Sequence, residues 1–135
     1  AAIPFTTMIF GMAVTAFNIK VRKKTVIYDD LPTEFNGLRI AQISDLHSGS
    51  LKSSDLIRSA VDKILELKPD LIFFTGDLVN NEAVEAEPFI EEFKRLHATH
   101  GVYSILGNHD YGDYGPWSSQ EAKAANLQRL KEIHQ

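Results

Sequence analysis

Leu38-Arg39-Ile40-Ala41-Gln42-Ile43-Ser44-Asp45-Leu46-His47 is the stretch whose reading decides the fold. It begins as a strand and ends in a carboxylate and an imidazole two positions apart. The same plan returns twice. Leu71-Ile72-Phe73-Phe74 is a continuous apolar run, typical of a strand buried on both faces, and it runs into Thr75-Gly76-Asp77-Leu78. Val102 to Leu106 reads as a third buried strand and runs into Gly107-Asn108-His109-Asp110. Each polar cluster closes an apolar run, so all three can converge on one edge of a single sheet.

The segments between these runs have helical periodicity. Ser53–Lys68 places Leu56, Ile57, Ala60, Val61, Ile64, Leu65 and Leu67 on one stripe. Ser53 or Ser54 can cap it, Asp55 suits the positive end of its dipole, and Pro69 prevents its continuation. Glu82–His97 contains a second helix, clearest from Pro88 through Phe89, Ile90, Phe93 and Leu96, with Gly101 as a stop. Glu121–Ile133 reads as a third. The order strand, helix, strand, helix, strand predicts an α/β fold with right-handed crossovers and a parallel sheet. In such sheets ligands bind beyond the carboxyl ends of the strands, where all three clusters lie.

Carboxylate, imidazole and amide oxygen are the ligand types that hold a hard or borderline divalent metal beside a phosphate. Asp45 and His47 point the same way at the end of an extended segment and can bind one ion. Asp77 can reach the same point and, having two oxygens, bridge to a second ion. Asn108 offers that second ion a neutral oxygen. Two metals roughly 3.5–4 Å apart can share a hydroxide and clamp a phosphate for in-line attack. His109 is placed to assist the leaving oxygen, and Asp110 to orient His109. Taken singly, each of these residues reads more readily as a cap or turn. Three in order, each after a strand, do not.

The remaining candidates are weaker. His97 and His100 flank a helix end and suit its dipole better than a metal. His134 has no context in the sequence. Tyr111, Tyr114 and Trp117 follow the last cluster in a Gly/Pro loop, where substrate-mouth and packing roles weigh equally.

The chain has 135 residues, 44% hydrophobic and 24% charged, which fits one globular domain or part of one. Its net charge of -4 argues against a general nucleic-acid binder. Without cysteine, any metal must use oxygen and nitrogen ligands.

Positive charge is concentrated at Lys20, Arg22, Lys23 and Lys24, directly after the uncharged stretch Ala1–Phe17. That stretch is near the lower limit for a membrane span, which usually needs about 20 residues. It reads as the end of a longer span, an interfacial helix, a signal h-region, or a buried or disordered soluble segment. The basic run favours a cytoplasmic catalytic domain by the positive-inside rule, or contact with anionic lipid heads. Lys24–Tyr28 reads as a short strand, and Leu31-Pro32 and Asn36-Gly37 as loop and turn. The expected organisation is a hydrophobic candidate membrane segment over 1–19, a basic linker and short strand over 20–36, and the catalytic domain over 37–135.

At Asp45-Leu46-His47, Gly76-Asp77 and Gly107-Asn108-His109-Asp110 the chain resembles the calcineurin-like metallophosphoesterase family. The likeness covers roughly Leu38–Asp110, and the three-part signature is highly specific. The phrase Leu38–His47 looks like the bacterial branch whose catalytic domain follows N-terminal membrane spans. The resemblance implies the βαβαβ half of an αββα sandwich of two sheets, with a dinuclear site. By position Asp45 and His47 bind the first ion, Asp77 bridges, Asn108 binds the second, and His109 serves the leaving group with Asp110 behind it. The ions are two divalent metals, with Mn, Fe, Zn and Ni all compatible. The substrate class is a phosphorylated small molecule or a lipid-linked phosphate. The family's downstream Gly-His-x-His element has no counterpart here, so truncation at Gln135 is expected, and with it inactivity of the isolated chain. Two alternatives compete: a non-catalytic membrane-anchored module that binds metal or phosphate weakly, and a soluble regulatory α/β domain. The second gives no reason for Asn108-His109-Asp110.

Overall fold

The apolar run Leu71–Phe74 forms the central strand, β2, between β1 (Ile40–Ile43) and β3 (Val102–Ser104), in a computed structural model that describes residues 19–51 and 53–135. Both pairings are parallel. Ile40 lies opposite Leu71 and Ile43 opposite Phe74, while Ile72 lies opposite Val102 and Phe74 opposite Ser104. This is the α/β arrangement expected, with helices interleaved between the strands. Helix α1 spans Ser54–Glu66, α2 Ile90–Phe93 and α3 Gln120–Ile133.

Alternation along the strands gives the sheet two unlike faces. Ile72 is fully buried, whereas its neighbour Phe73 and the paired Tyr103 stay exposed, their rings 6.0 Å apart. The core lies on the Ile72 side in two clusters. Ile57, Val61 and Phe89 join α1 to the segment before α2; Leu78, Val79, Ala83, Ala86 and Leu130 join the loop after β2 to α3. Leu46 packs against both clusters. It therefore anchors the Asp45-Leu46-His47 segment from within, while its two neighbours remain available for chemistry.

Capping fixes the helix starts. The Ser53 hydroxyl accepts from the Asp55 amide, and the Ser119 hydroxyl from the Ala122 amide, each at 3.1 Å. Arg58 and Arg95 both hold Glu92, tying α1 to α2 across the surface. Their hydrogen bonds, Arg95's first, lower the Glu92 carboxyl from its ordinary value.

Four expectations fail. β2 is not buried on both faces, since Phe73 is exposed. Lys24–Tyr28 forms no strand; Ile27 is 84% exposed. β-Branched residues favour a strand only where a sheet edge receives them, and no described strand pairs with this segment. The helix expected over 82–97 is broken into 3₁₀ turns at Ala83–Glu85 and Glu87–Phe89 before the short α2. Side-chain acceptors take over the backbone there. The Glu85 carboxylate accepts from the Asn80, Asn81 and Glu82 amides, Asn126 Oδ1 accepts from the Ala83 amide, and Pro88 has no amide to offer. Finally, β3 is an edge strand with all three residues exposed, not a buried one.

Residues 1–18, which carry most of the proposed hydrophobic segment, lie outside the described residues. Among the described residues no helix is long and apolar enough to cross a membrane.

Candidate metal centre

The parallel pairing of β1 and β2 continues past the strand ends and lays one site loop on the other. The Asp45 amide donates to Gly76 O at 3.0 Å, His47 to Asp77 O at 3.1 Å, and Ser48 to Leu78 O at 2.9 Å. Asp45, His47 and Asp77 all hold left-handed backbone conformations, with φ of 55°, 46° and 56°. For residues with a Cβ such conformations cost roughly 1–3 kcal/mol each and persist only where surrounding structure enforces them. Three of the four described non-glycine residues with positive φ are thus site residues.

The third loop closes against the second through two glycines. Gly76 has φ +98°, and a Cβ there would sit 2.5 Å from the Gly107 Cα. A Cβ on Gly107 would meet the Asp77 carboxylate and lie 2.5 Å from the Asp77 nitrogen. Only glycine admits this approach.

Asp110 locks the assembly. It is fully buried, and its carboxylate accepts from the Leu78 and Asp77 amides and from Gly107, each at 2.8 Å, and from Val79 at 3.3 Å. Asp110 therefore fixes the backbone of two loops. The His109 ring takes its hydrogen bond elsewhere: Nδ1 lies 2.8 Å from the Asn80 carbonyl. A carbonyl only accepts, so Nδ1 carries the proton and Nε2 is the free nitrogen, the arrangement found in metal-bound histidines.

His47, Asp77 and His109 come together, with one ligand atom from each lying within 4.8 Å of the others. The two imidazole rings meet edge to face at 4.7 Å, and the His109 amide donates to Asp77 Oδ1 at 2.9 Å. Two imidazoles and a carboxylate suit a borderline divalent cation, so the donor set fits a metal. Asp45 and Asn108 are exposed and Asp45 stands outside this trio; Asp45 and His47 have left-handed rather than extended backbone, so the alternation expected to aim both at one point does not hold. The Asp45 carboxylate accepts from the Ser44 hydroxyl, and the Asn108 amide nitrogen donates to the Tyr114 phenol at 3.1 Å. A cleft of about 510 Å³ near Arg39, Lys68, Asp70 and His97 opens at the other end of the strands and includes none of the trio.

The chain matches the calcineurin-like phosphoesterase family over residues 38–133. It belongs to that family. Relatives include the UDP-2,3-diacylglucosamine pyrophosphatase LpxG of Chlamydia trachomatis, 42% identical over 89 residues, which are 63% of this chain and 27% of LpxG. The uncharacterized metallophosphoesterase YkuE of Bacillus subtilis is 34% identical over 99 residues, 72% of this chain and 35% of that protein. A transmembrane protein with metallophosphoesterase domain from Danio rerio is 29% identical over 103 residues, 76% of this chain and 24% of that protein. The chain thus spans about a quarter to a third of the curated relatives it matches. No solved structure matches it. Calcineurin-like phosphoesterases hydrolyse phosphoester bonds with divalent metals, and the His47–Asp77–His109 cluster is a donor set of the required kind.

Sequence reasoning missed the Asn80 carbonyl, since nothing in a side-chain pattern marks a backbone acceptor. Glu85, which holds the Asn80 amide, forms a capping box with Glu82, but with Glu rather than Ser or Thr at the cap the sequence did not mark it. His134 pairs with Ser104 and packs on Phe74 at 5.6 Å. Its burial lowers its pKa, against an opposing pull from Asp110. His97 bonds the Arg95 carbonyl at 2.8 Å, beyond the end of α2.

The Asp110 geometry gives a clear expectation. Asp110→Asn turns one acceptor oxygen into a donor facing backbone N–H groups. Hydrogen bonds to a charged group contribute about 1.5–3 kcal/mol, and several are disturbed together, so a loss on the order of 3 kcal/mol is expected in metal-free protein. Urea unfolding of the metal-free full-length protein measures it. A wild-type midpoint would remove Asp110 from the role of anchor.

Proposed function

We propose that the full-length protein is a hydrolase of phosphomonoester, phosphodiester or pyrophosphate bonds that works with two divalent ions. The observation that carries this reading is the convergence of His47, Asp77 and His109 beyond the carboxyl ends of parallel strands. Asp45 and His47 would hold a first ion, Asn108 a second, and Asp77 would be shared between them; Mn, Fe, Zn and Ni all fit these ligands. When bound, the ions supply Lewis acidity toward the phosphoryl oxygens and a hydroxide nucleophile at neutral pH. The chain's own residues supply position. Asp110 fixes the Asp77 and Gly107 backbones, and Asn80 fixes the His109 ring. With Nδ1–H held by the Asn80 carbonyl, a second proton carried on Nε2 would be the one His109 gives to the leaving oxygen.

The activity of the chlamydial relative, a UDP-2,3-diacylglucosamine pyrophosphatase, supports a phosphorylated small-molecule or lipid-linked substrate. Membrane association through residues 1–19, with the basic residues 20–24 and the catalytic domain on the cytoplasmic side, accords with it. A fusion beginning at Thr25 is expected to be more soluble than one beginning at Ala1, and equal partition in a membrane pellet assay argues against the anchor.

His109→Ala tests the assignment. It should retain most metal while kcat falls about 10²–10⁴-fold, the usual scale of general acid–base help. The fall should shrink for nitrophenyl esters, whose leaving groups need no proton. If metal is lost as well, His109 is a ligand and the proton comes from elsewhere.

A further inference from the structure

We infer that Tyr114 is a positioning residue for the second ion, holding the Asn108 amide with its oxygen end free for the cation. The inference rests on the two-ion reading above. A primary amide has a donor end and an acceptor end, and a half-turn exchanges them. Only the oxygen end can bind a cation. Asn108 is exposed and its side chain lies on the surface, so packing does not choose between the two orientations. Its Nδ2 lies 3.1 Å from the Tyr114 phenol oxygen and donates to it, with Oδ1 as the other end; a phenol accepts as well as donates, so Tyr114 can hold the amide in this sense once a cation takes Oδ1.

The loop is built to bring Tyr114 to this place. Gly112 takes a left-handed turn at φ +67°, and its carbonyl accepts from the Trp117 indole nitrogen. A Cβ on Gly112 would lie 2.8 Å from the Trp117 ring, so the turn and the ring are fitted to each other. Asp113 pairs with Lys123 and ties the loop to α3. Between these anchors the Tyr114 ring packs over the His109 ring, centroids 4.7 Å apart and planes 38° apart. Tyr114 is nonetheless 62% exposed, so it adds little to the core. It touches two residues of the proposed site and is held by groups outside it. Tyr111, by contrast, lines a separate cleft with His134 and Lys131.

Loss of an outer partner of a metal ligand typically costs 10–100-fold in metal affinity. Tyr114→Phe keeps the ring over His109 and removes only the phenol oxygen. In the full-length protein, Mn²⁺ titration by calorimetry, with free Mn²⁺ followed by electron paramagnetic resonance, separates the two ions. Tyr114→Phe should weaken the second ion about 10-fold or more and leave the first unchanged. Its kcat should fall at limiting Mn²⁺ and recover at saturating Mn²⁺. Tyr111→Phe serves as the control and should titrate as wild type does. Equal weakening of both ions, or none, overturns the inference while metal-dependent turnover of the wild type leaves the proposed function standing. A wild-type protein that takes up only one ion overturns the two-ion reading and this inference together.

Discussion

Asp77→Asn is expected to lose bound metal and turnover together, with little loss of fold. Asp77 is the only carboxylate among the three clustered donors, so it supplies the negative charge of the cluster. Asparagine keeps the shape and one oxygen, which can still accept the His109 amide as Asp77 Oδ1 does at 2.9 Å. Its other end becomes a donor that turns away a cation. The backbone at this position has φ 56°, a conformation asparagine tolerates better than most residues, so the substitution isolates charge from strain. The Asp110 anchor binds the Asp77 backbone amide and does not depend on the side chain. The expected fall in metal affinity therefore exceeds the roughly 10–100-fold that loss of an outer partner produces. Metal content after desalting, measured beside kcat/KM, reads both quantities. Normal metal with normal turnover would sink the assignment of Asp77 as the bridge.

The contrast with Asp110 separates chemistry from architecture. Both are acidic residues of the same signature, and sequence spacing alone gives both to the site. The structure divides them: Asp77 keeps an oxygen among the donors, while Asp110 spends both oxygens on backbone amides. Asp77→Asn should leave the urea midpoint of metal-free protein near the wild-type value, and Asp110→Asn should not.

The strands and their order were legible because each largely apolar run ends at a polar cluster. Leu71–Phe74 is a strand with the bounds its sequence implies, and Ser54–Glu66 follows its apolar stripe. Legibility failed where side chains replace backbone partners. Glu85 and Asn126 capture the amides of residues 80–83, and an apolar period alone does not register such capture. It failed again at Lys24–Tyr28, where strand propensity meets no described edge. At the site, residue types and spacing predicted that the three polar clusters meet, and one residue from each, His47, Asp77 and His109, does lie together, with His109 rather than Asp45 in the trio. They did not give the orientation of His109, which a backbone carbonyl sets. Nor did they separate Tyr114 from Tyr111 and Trp117, since only the turn at Gly112 decides which aromatic reaches Asn108.

Removal and return of metal tests the central claim most directly. The full-length protein is stripped with a chelator, desalted, and assayed on a nitrophenyl phosphate ester and on a pyrophosphate-linked nucleotide before and after addition of Mn²⁺. Enzymes of this mechanistic class owe the nucleophile itself to the ions, so stripped protein should fall to background and Mn²⁺ should restore turnover. Turnover that survives stripping, or that fails to return with any of Mn²⁺, Fe²⁺, Zn²⁺ or Ni²⁺, would contradict the account.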